Sequence, residues 1–316
     1  MMKICHTVRK ISTLLPLTIG VLAATNSVQA LEGVSPLQPG ATTGNAAGAL
    51  PPPGLYFGYD IDYEWGKLHG KGSNKGINIK ARNSSMVASL VWSTPYKFLG
   101  ARYAMGIAQP YKVADTKLTT PVGESNASTH GAMSTILMPL MLSWDLGGGF
   151  HLGAGTSVIL NNGKHSSSCA GGVCSNNLDN LANHYYTIEP NLALTYFTGD
   201  WAFTVNNVID FNFKNTTTEY KSGHVYYMDL TAAKRINKWT LGLIGNWTKQ
   251  FTDDKKNDVV VQGLQSAGSR VEHVMFGPLV GYDFGKFAVT ARFLASVHSE
   301  NDPKMRFFHV GVAIPL

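Results

Sequence analysis

Cysteine is scarce in this chain. Three occur in 316 residues, with Cys5 near the amino terminus and Cys169 and Cys174 close together further on. That excludes a cysteine-rich disulfide scaffold, and two thiols with His165 alone nearby fall short of a closed zinc shell. Charge is scarce as well, at 15% of residues. No apolar run reaches the roughly 20 residues that a membrane-spanning helix needs, which argues against a helical inner-membrane protein. Helix-period stretches are missing. So are the Gly-x-Ser-x-Gly elbow, the His-Glu-x-x-His pair and a phosphate-cradling glycine loop. No catalytic residue, metal or cofactor is therefore expected.

What is present is alternation. From Leu55 to Trp65 every odd position is apolar or aromatic, while Gly58, Asp60, Asp62 and Glu64 hold the even ones. Side chains of a strand alternate faces, so one face is greasy and the other acidic. Lipid on one side and water on the other demand that pattern. An export route fits it: Lys3, Arg9 and Lys10 precede an apolar stretch from Leu14 to Ala24, and Val28-Gln29-Ala30 reads as a cleavage site. Residues 1–30 are expected to be a signal peptide. The formal charge is +6, but without Lys3, Arg9 and Lys10 the balance falls to 23 basic against 20 acidic residues, so no nucleic-acid partner is expected. In an oxidising compartment Cys169 and Cys174 read as a short loop disulfide in preference to free thiols.

Residues 31–53 are rich in Gly, Ala, Pro and Thr and end in Pro51-Pro52-Pro53-Gly54, a flexible lead-in that either lies in the periplasm or folds back as a small plug. Strand-sized segments follow near 55–66, 79–92, 98–109, 131–145, 150–162, 184–198, 201–214, 223–235, 238–251, 270–285, 287–298 and 305–316. Several are joined by tight turns, while 111–130, 163–183 and 252–269 read as long polar loops. Asp253, Asp254 and Asp258 offer Ca²⁺ ligands, but Lys255 and Lys256 between them favour a solvated loop. Trp65, Trp92, Trp144, Trp201, Trp239 and Trp247 fall in the strands, as interface girdles require. The last strand alternates to the carboxylate through Phe308, Val310, Val312, Ile314 and Leu316, with Leu316 where a terminal aromatic is usual. The fold expected over residues 54–316 is an all-β transmembrane antiparallel barrel of about twelve strands, closed by its N- and C-terminal strands.

With the aromatic parity facing lipid, the other parity lines a lumen. The pathway candidates are Asp60, Asp62, Glu64, Arg102, Glu189, Asn191, Asp210, Asn212, Asp229, Arg235, Arg292 and His309. Asn206, Lys214, Asn246, Thr248, Gln250 and His298 join them by the same parity. Both signs of charge occur, which suits a constriction that orients solutes or a set of ion pairs that fills the barrel. Asp60, Asp62 and Glu64 are expected either to meet Arg102, Arg235 or Arg292 as a seal or to line a path with water between them.

The runs Pro190 to Tyr196, Phe211-Asn212 and Asn215 to Tyr220 resemble the outer-membrane family labelled "meta-pathway of phenol degradation". Gly242 to Gly245, Gln250 to Asp254, Gly277-Pro278 and the opening Pro52 to Tyr56 are similar to its other motifs, so the resemblance covers roughly residues 50–316. The Cys169 and Cys174 loop is not part of that pattern. The resemblance implies a passive outer-membrane channel or transporter for small hydrophobic or aromatic compounds, and it supplies no catalytic residues. Expected partners are outer-membrane lipids and lipopolysaccharide, the barrel-assembly machinery during biogenesis, and a small hydrophobic solute. An outer-membrane lipid hydrolase, which needs a His and a Ser at one depth on the outer wall, and a structural barrel with a sealed lumen are the alternatives.

Overall fold

In the computed structural model, residues 37–67, 78–120, 123–170, 173–177, 179–261 and 270–316 are described. The expected signal peptide lies outside them. In chain order the strands are β1 (Gly54–Lys67), β2 (Asn78–Phe98), β3 (Ala101–Thr120), β4 (Gly123–Ala132), β5 (Ile136–Gly147), β6 (Phe150–Ile159), β7 (Ser167–Ala170), β8 (Val173–Asn176), β9 (Thr187–Thr198) and β10 (Trp201–Asn212). They continue as β11 (Lys214–Asn215), β12 (Tyr220–Lys221), β13 (Val225–Ile236), β14 (Trp239–Gln250), β15 (Lys255–Lys256), β16 (Val259–Val260), β17 (Glu272–Asp283), β18 (Ala288–Glu300) and β19 (Lys304–Pro315).

The wall is one antiparallel sheet in the order β2-β1-β19-β18-β17-β14-β13-β10-β9-β6-β5-β3-β4, and pairing of β2 with β3 closes it. The lower part of β3 pairs with β5 and its upper part with β4, so β4 and β5 share one position around the wall and the barrel has 12 strands. The terminal strands meet as expected: β1 and β19 pair from Tyr56 opposite Pro315 to Lys67 opposite Lys304. Such closure leaves no unpaired strand edge for lipid to meet. Turns at one end are short, and Leu99 and Asn237 adopt positive φ there. The other end carries the long connections. It therefore faces outward, and the short-turn end, where both β1 begins and β19 finishes, faces the periplasm.

Alternation follows the solvent. On β1, Leu55, Ile61 and Tyr63 are exposed on the outer face while Tyr56, Asp60, Asp62 and Glu64 are buried inside. The stretch 111–130, expected as a loop, instead extends β3 and forms most of β4. Its upper residues are polar on both faces because no lipid contacts them there, so the two-residue rhythm that marks a membrane strand fades. The segment expected at 131–145 is interrupted between β4 and β5. Cys169 and Cys174 are bonded to each other in the β7–β8 hairpin.

Candidate functional site

Residues 37–53 run through the lumen in successive turns, with Ala41 N–H donating to Gln38, Thr43 to Gly40, Asn45 to Thr42 and Ala49 to Ala46. A segment without a ladder must place its remaining backbone groups on the wall, and it does so at each level. Near the periplasmic end Arg102 donates to the carbonyls of Leu50 and Pro51, and Ser93 Oγ donates to Pro51 O at 2.9 Å. Higher up, Gly48 N–H donates to Thr195 Oγ1 (3.0 Å) and its carbonyl accepts from Ser143 Oγ (2.8 Å). A Cβ on Gly48 would stand 2.5 Å from the His151 carbonyl oxygen and 2.7 Å from Thr195 N, so only glycine allows this approach. In the middle, Thr42 N–H and Oγ1 donate to Asp229 Oδ2 at 2.8 and 2.6 Å, and Gly44 N–H donates to Thr231 Oγ1 at 2.7 Å. Arg292 donates to the carbonyls of Ala41 and Thr43.

The lumen candidates separate into groups. Asp60 and Asp62 converge on His309, whose Nε2 lies 2.9 Å from Asp60 Oδ1 and whose Nδ1 lies 2.5 Å from Asp62 Oδ1. Arg292 reaches the same imidazole. Glu64 turns to Lys112 at 3.4 Å and accepts from Asn83 Nδ2 at 3.1 Å. The three acids are thus held through His309 and Lys112, and among the described residues none hydrogen-bonds an arginine directly. Asp229 also accepts from Asn246 (2.7 Å), whose Oδ1 accepts from Thr248. Asn191 donates to Asn206, which donates on to Thr42. Glu189 and Asp210 sit against each other, both fully buried, with Tyr227 OH donating to Asp210 at 3.0 Å. Asn212 joins Thr187 to the Gly223 carbonyl. Arg235 lies at the periplasmic rim, where it pairs with Asp283 at 2.9 Å.

Some placements differ from expectation. His298 faces outward, because a bulge between Val274 and Met275 shifts the β17–β18 register and reverses the parity of β18 above it. Lys214 lies beyond the end of β10, in β11, and pairs with Glu219. Asp254 is buried rather than solvated: it accepts from Gly223 N–H (2.7 Å), Tyr220 OH (2.8 Å) and Gln250 Nε2 (2.8 Å), and burial pushes its carboxyl up to about 6. Asp253 instead pairs with Arg270 at 2.8 Å. Lys112 was missed because its segment reads as a loop. The signal that would have found it is the local alternation of Tyr111 and Val113, both exposed, around a buried lysine.

On the other side of the inner segment the surface is mostly apolar, with Glu189, Asn191 and Asn206 at its edge. A cavity of about 130 Å³ lies between Ala46, Ala49 and Leu50 and the wall residues Val91, Met138 and Val208. A second space of about 380 Å³, at the periplasmic mouth, also touches Ala46, Ala49, Leu50 and Pro51. The inner segment is thus the partition between the two. Beside the first cavity, pairing of β5 lapses between Leu137 and Leu140 toward β6 and between Ala104 and Gly106 toward β3. Pro139, which has no N–H to donate, sits in that gap.

The sequence matches, over residues 69–308, the family model described as "Putative MetA-pathway of phenol degradation". The chain belongs to this family. Among solved structures, an outer membrane channel from Pseudomonas putida F1 is similar, with TM-score 0.66 and 14% identity over 85% of this chain and 97% of that one. The translocator domain of the autotransporter NalP from Neisseria meningitidis gives 0.49 at 12% identity, over 83% and 88%. At such identities the likeness is one of fold. No curated protein matches the sequence. Family and fold together make this chain an outer-membrane β-barrel.

Proposed function

We propose that the barrel passes small hydrophobic or aromatic molecules down their gradient from the outer membrane to the periplasm. The cavity beside the inner segment carries this reading. Its volume of about 130 Å³ is close to the ~150 Å³ of an apolar cavity that stays dry and takes up benzene. Its lining is mostly apolar, through Val91, Met138, Leu140, Met141 and Val208, and offers a phenyl-sized solute burial, while Glu189, Asn191 and Asn206 add a few polar groups that can orient it. The gap at Pro139 sets the cavity against a stretch of the wall where strand pairing lapses. Ala46–Pro51 separates it from the periplasmic space, so a shift of that partition completes the path. Family membership and the channel fold support the same conclusion.

Phenylalanine in place of Ala49 adds bulk at the partition between the two spaces and leaves every wall residue unsubstituted. Cells carrying Ala49→Phe are expected to take up radiolabelled toluene at less than about a third of the wild-type rate while the barrel stays folded. Unchanged uptake would count against the cavity as the route. Export by cleavage after Ala30 belongs to this reading, and mass spectrometry of the outer-membrane form should find Leu31 first.

The chain is read as non-enzymatic. Among the described residues no histidine side chain hydrogen-bonds a serine, the contact a lipid hydrolase on the outer wall would need. A fully sealed structural barrel is disfavoured by the paired cavities on either side of the inner segment.

A further inference from the structure

The outer wall carries an excess of positive charge at one place, where Lys67, Lys80, Arg82, Lys117, Lys304 and Arg306 outnumber the neighbouring carboxylates Asp115, opposite Arg82, and Glu124. Where β19, β1, β2 and β3 rise above the membrane band, the register sets Lys304 opposite Lys67, Lys67 opposite Lys80 and Lys80 opposite Lys117. One pair lower, Trp65 stands between Arg306 and Arg82. Like charges directly opposite in an antiparallel pair destabilise it, and here they recur across neighbouring strands. Lys117 has a carboxylate, Glu124, at 2.8 Å. Among the described residues no ion pair reaches Lys67, Lys80, Arg82, Lys304 or Arg306. Around the barrel at the same height, Lys249 is matched by Glu272 at 3.3 Å, with Glu300 and His298 beside it. The excess is therefore local to one flank.

The flank is also shaped. Trp65, Lys67, Lys80, Arg82, Lys304 and Arg306 line a cleft of about 390 Å³. Its floor is aromatic: Trp65 lies 5.2 Å from Tyr63 and 6.2 Å from Phe293, ring centre to ring centre. Below it the outward residues of β1 are apolar or aromatic down to Leu55. Ten residues at ~3.4 Å each, tilted by about 40°, span about 26 Å, close to the apolar band of such barrels. The cleft thus sits where acyl chains give way to headgroups, in the outer leaflet and outside the lumen. An anion that meets it belongs to the membrane rather than to the solute stream.

We propose that this cleft is a binding site for lipopolysaccharide, with the phosphates of its lipid A held by Lys67, Lys80, Arg82, Lys304 and Arg306 and its sugar and acyl portion lying on Trp65. Arginine offers forked donors to phosphate and lysine a point charge, so the two rows suit a bisphosphorylated headgroup. Neutralising the rows relieves the cross-strand repulsion, which ties the lipid to closure of β1 on β19. The proposal rests on the outer-membrane placement and not on the transport reading, so either survives failure of the other.

The test is native mass spectrometry of the purified full chain in detergent with bisphosphorylated lipid A and with the same lipid dephosphorylated. Wild type should retain the phosphorylated lipid at least tenfold better than the quadruple variant K67Q/K80Q/R82Q/R306Q. Dephosphorylation should cause a similar loss, and K249Q on the other flank should bind as wild type. Heat-modifiable migration on gels verifies folding, and R82Q/R306Q serves if the quadruple variant does not fold, with a partial loss expected. Equal retention by the variants, or indifference to dephosphorylation, overturns the proposal. So does complete displacement of the lipid by millimolar inorganic phosphate, which would mark a simple anion site.

Discussion

The two sides of the amino-terminal segment are built on opposite principles. Toward β13, β18, β19 and β1 it is held by charge and hydrogen bonds, through Asp229, Arg292 and the His309 cluster with Asp60 and Asp62. Toward β2, β5 and β10, hydrogen bonds from Ser93, Ser143 and Asn206 reach it at its margins, and between them it faces Val91, Met138 and Val208 across a mostly apolar cavity. Directional contacts fix position, whereas apolar contacts tolerate a change of occupant. A segment anchored on one side and loosely packed on the other can stay in register while a solute passes its apolar side.

Breaking the polar side should have the largest effect. Arg292→Met removes the cation next to His309 and strips two carbonyls of the inner segment of their donor. Breaking a buried ionic group typically costs about 3–5 kcal/mol, so urea unfolding in lipid vesicles should register a loss of that order. Single-channel conductance should rise as the segment detaches. Conductance equal to wild type would mean that the polar side is not the anchor. On the apolar side, Met138→Ala enlarges the cavity and should cost about 2 kcal/mol or a little more, within the range for buried Met→Ala. Conductance should stay low and uptake should extend to bulkier aromatics. A rise in conductance as large as that of Arg292→Met would erase the distinction between the sides.

Gly48→Ala acts at the seam, near the Ser143 and Thr195 contacts. The added Cβ meets backbone, which cannot rotate away, so the segment must retreat. A cost of about 1–2 kcal/mol is expected, with faster hydrogen exchange of Gly44 to Leu50 amides as the readout.

The smallest effect concerns the polar side where it continues above the segment, at Asp254. Its raised carboxyl pKa means that the folded loop holds a proton that the unfolded chain releases at about pH 3.9. The folded loop therefore gains from that proton in full below about pH 4, and the gain is lost as pH rises to about 6. Opening free energies at residues 222–224, corrected for intrinsic exchange, should fall across that window, and Asp254→Asn should flatten the slope. A rise with pH would contradict burial as the dominant influence on this carboxyl.

The wall was legible in the sequence wherever lipid enforces alternation. Asp60, Asp62, Glu64, Glu189, Asp229 and Arg292 face inward as parity requires. Parity failed where the two-residue rhythm is broken or unenforced. The bulge near Met275 turned His298 outward, and the stretch 111–130 hid a hairpin because both of its faces meet water. The cavity was not legible at all. Ala49, Met138 and Val208 are unremarkable apolar residues until the inner segment lies beside the wall.

Solvent on two sides of a strand is a local condition, written residue by residue, and the sequence alone determined from it the fold class, the lipid face and the closing role of the terminal strands. Which inward charges meet, that Glu64 turns to Lys112 and Asp60 to His309, depends on registers set between distant segments. So does the row of lysines across β19, β1, β2 and β3. Those were decided only by the tertiary structure, because pairing across strands joins residues that no local pattern relates.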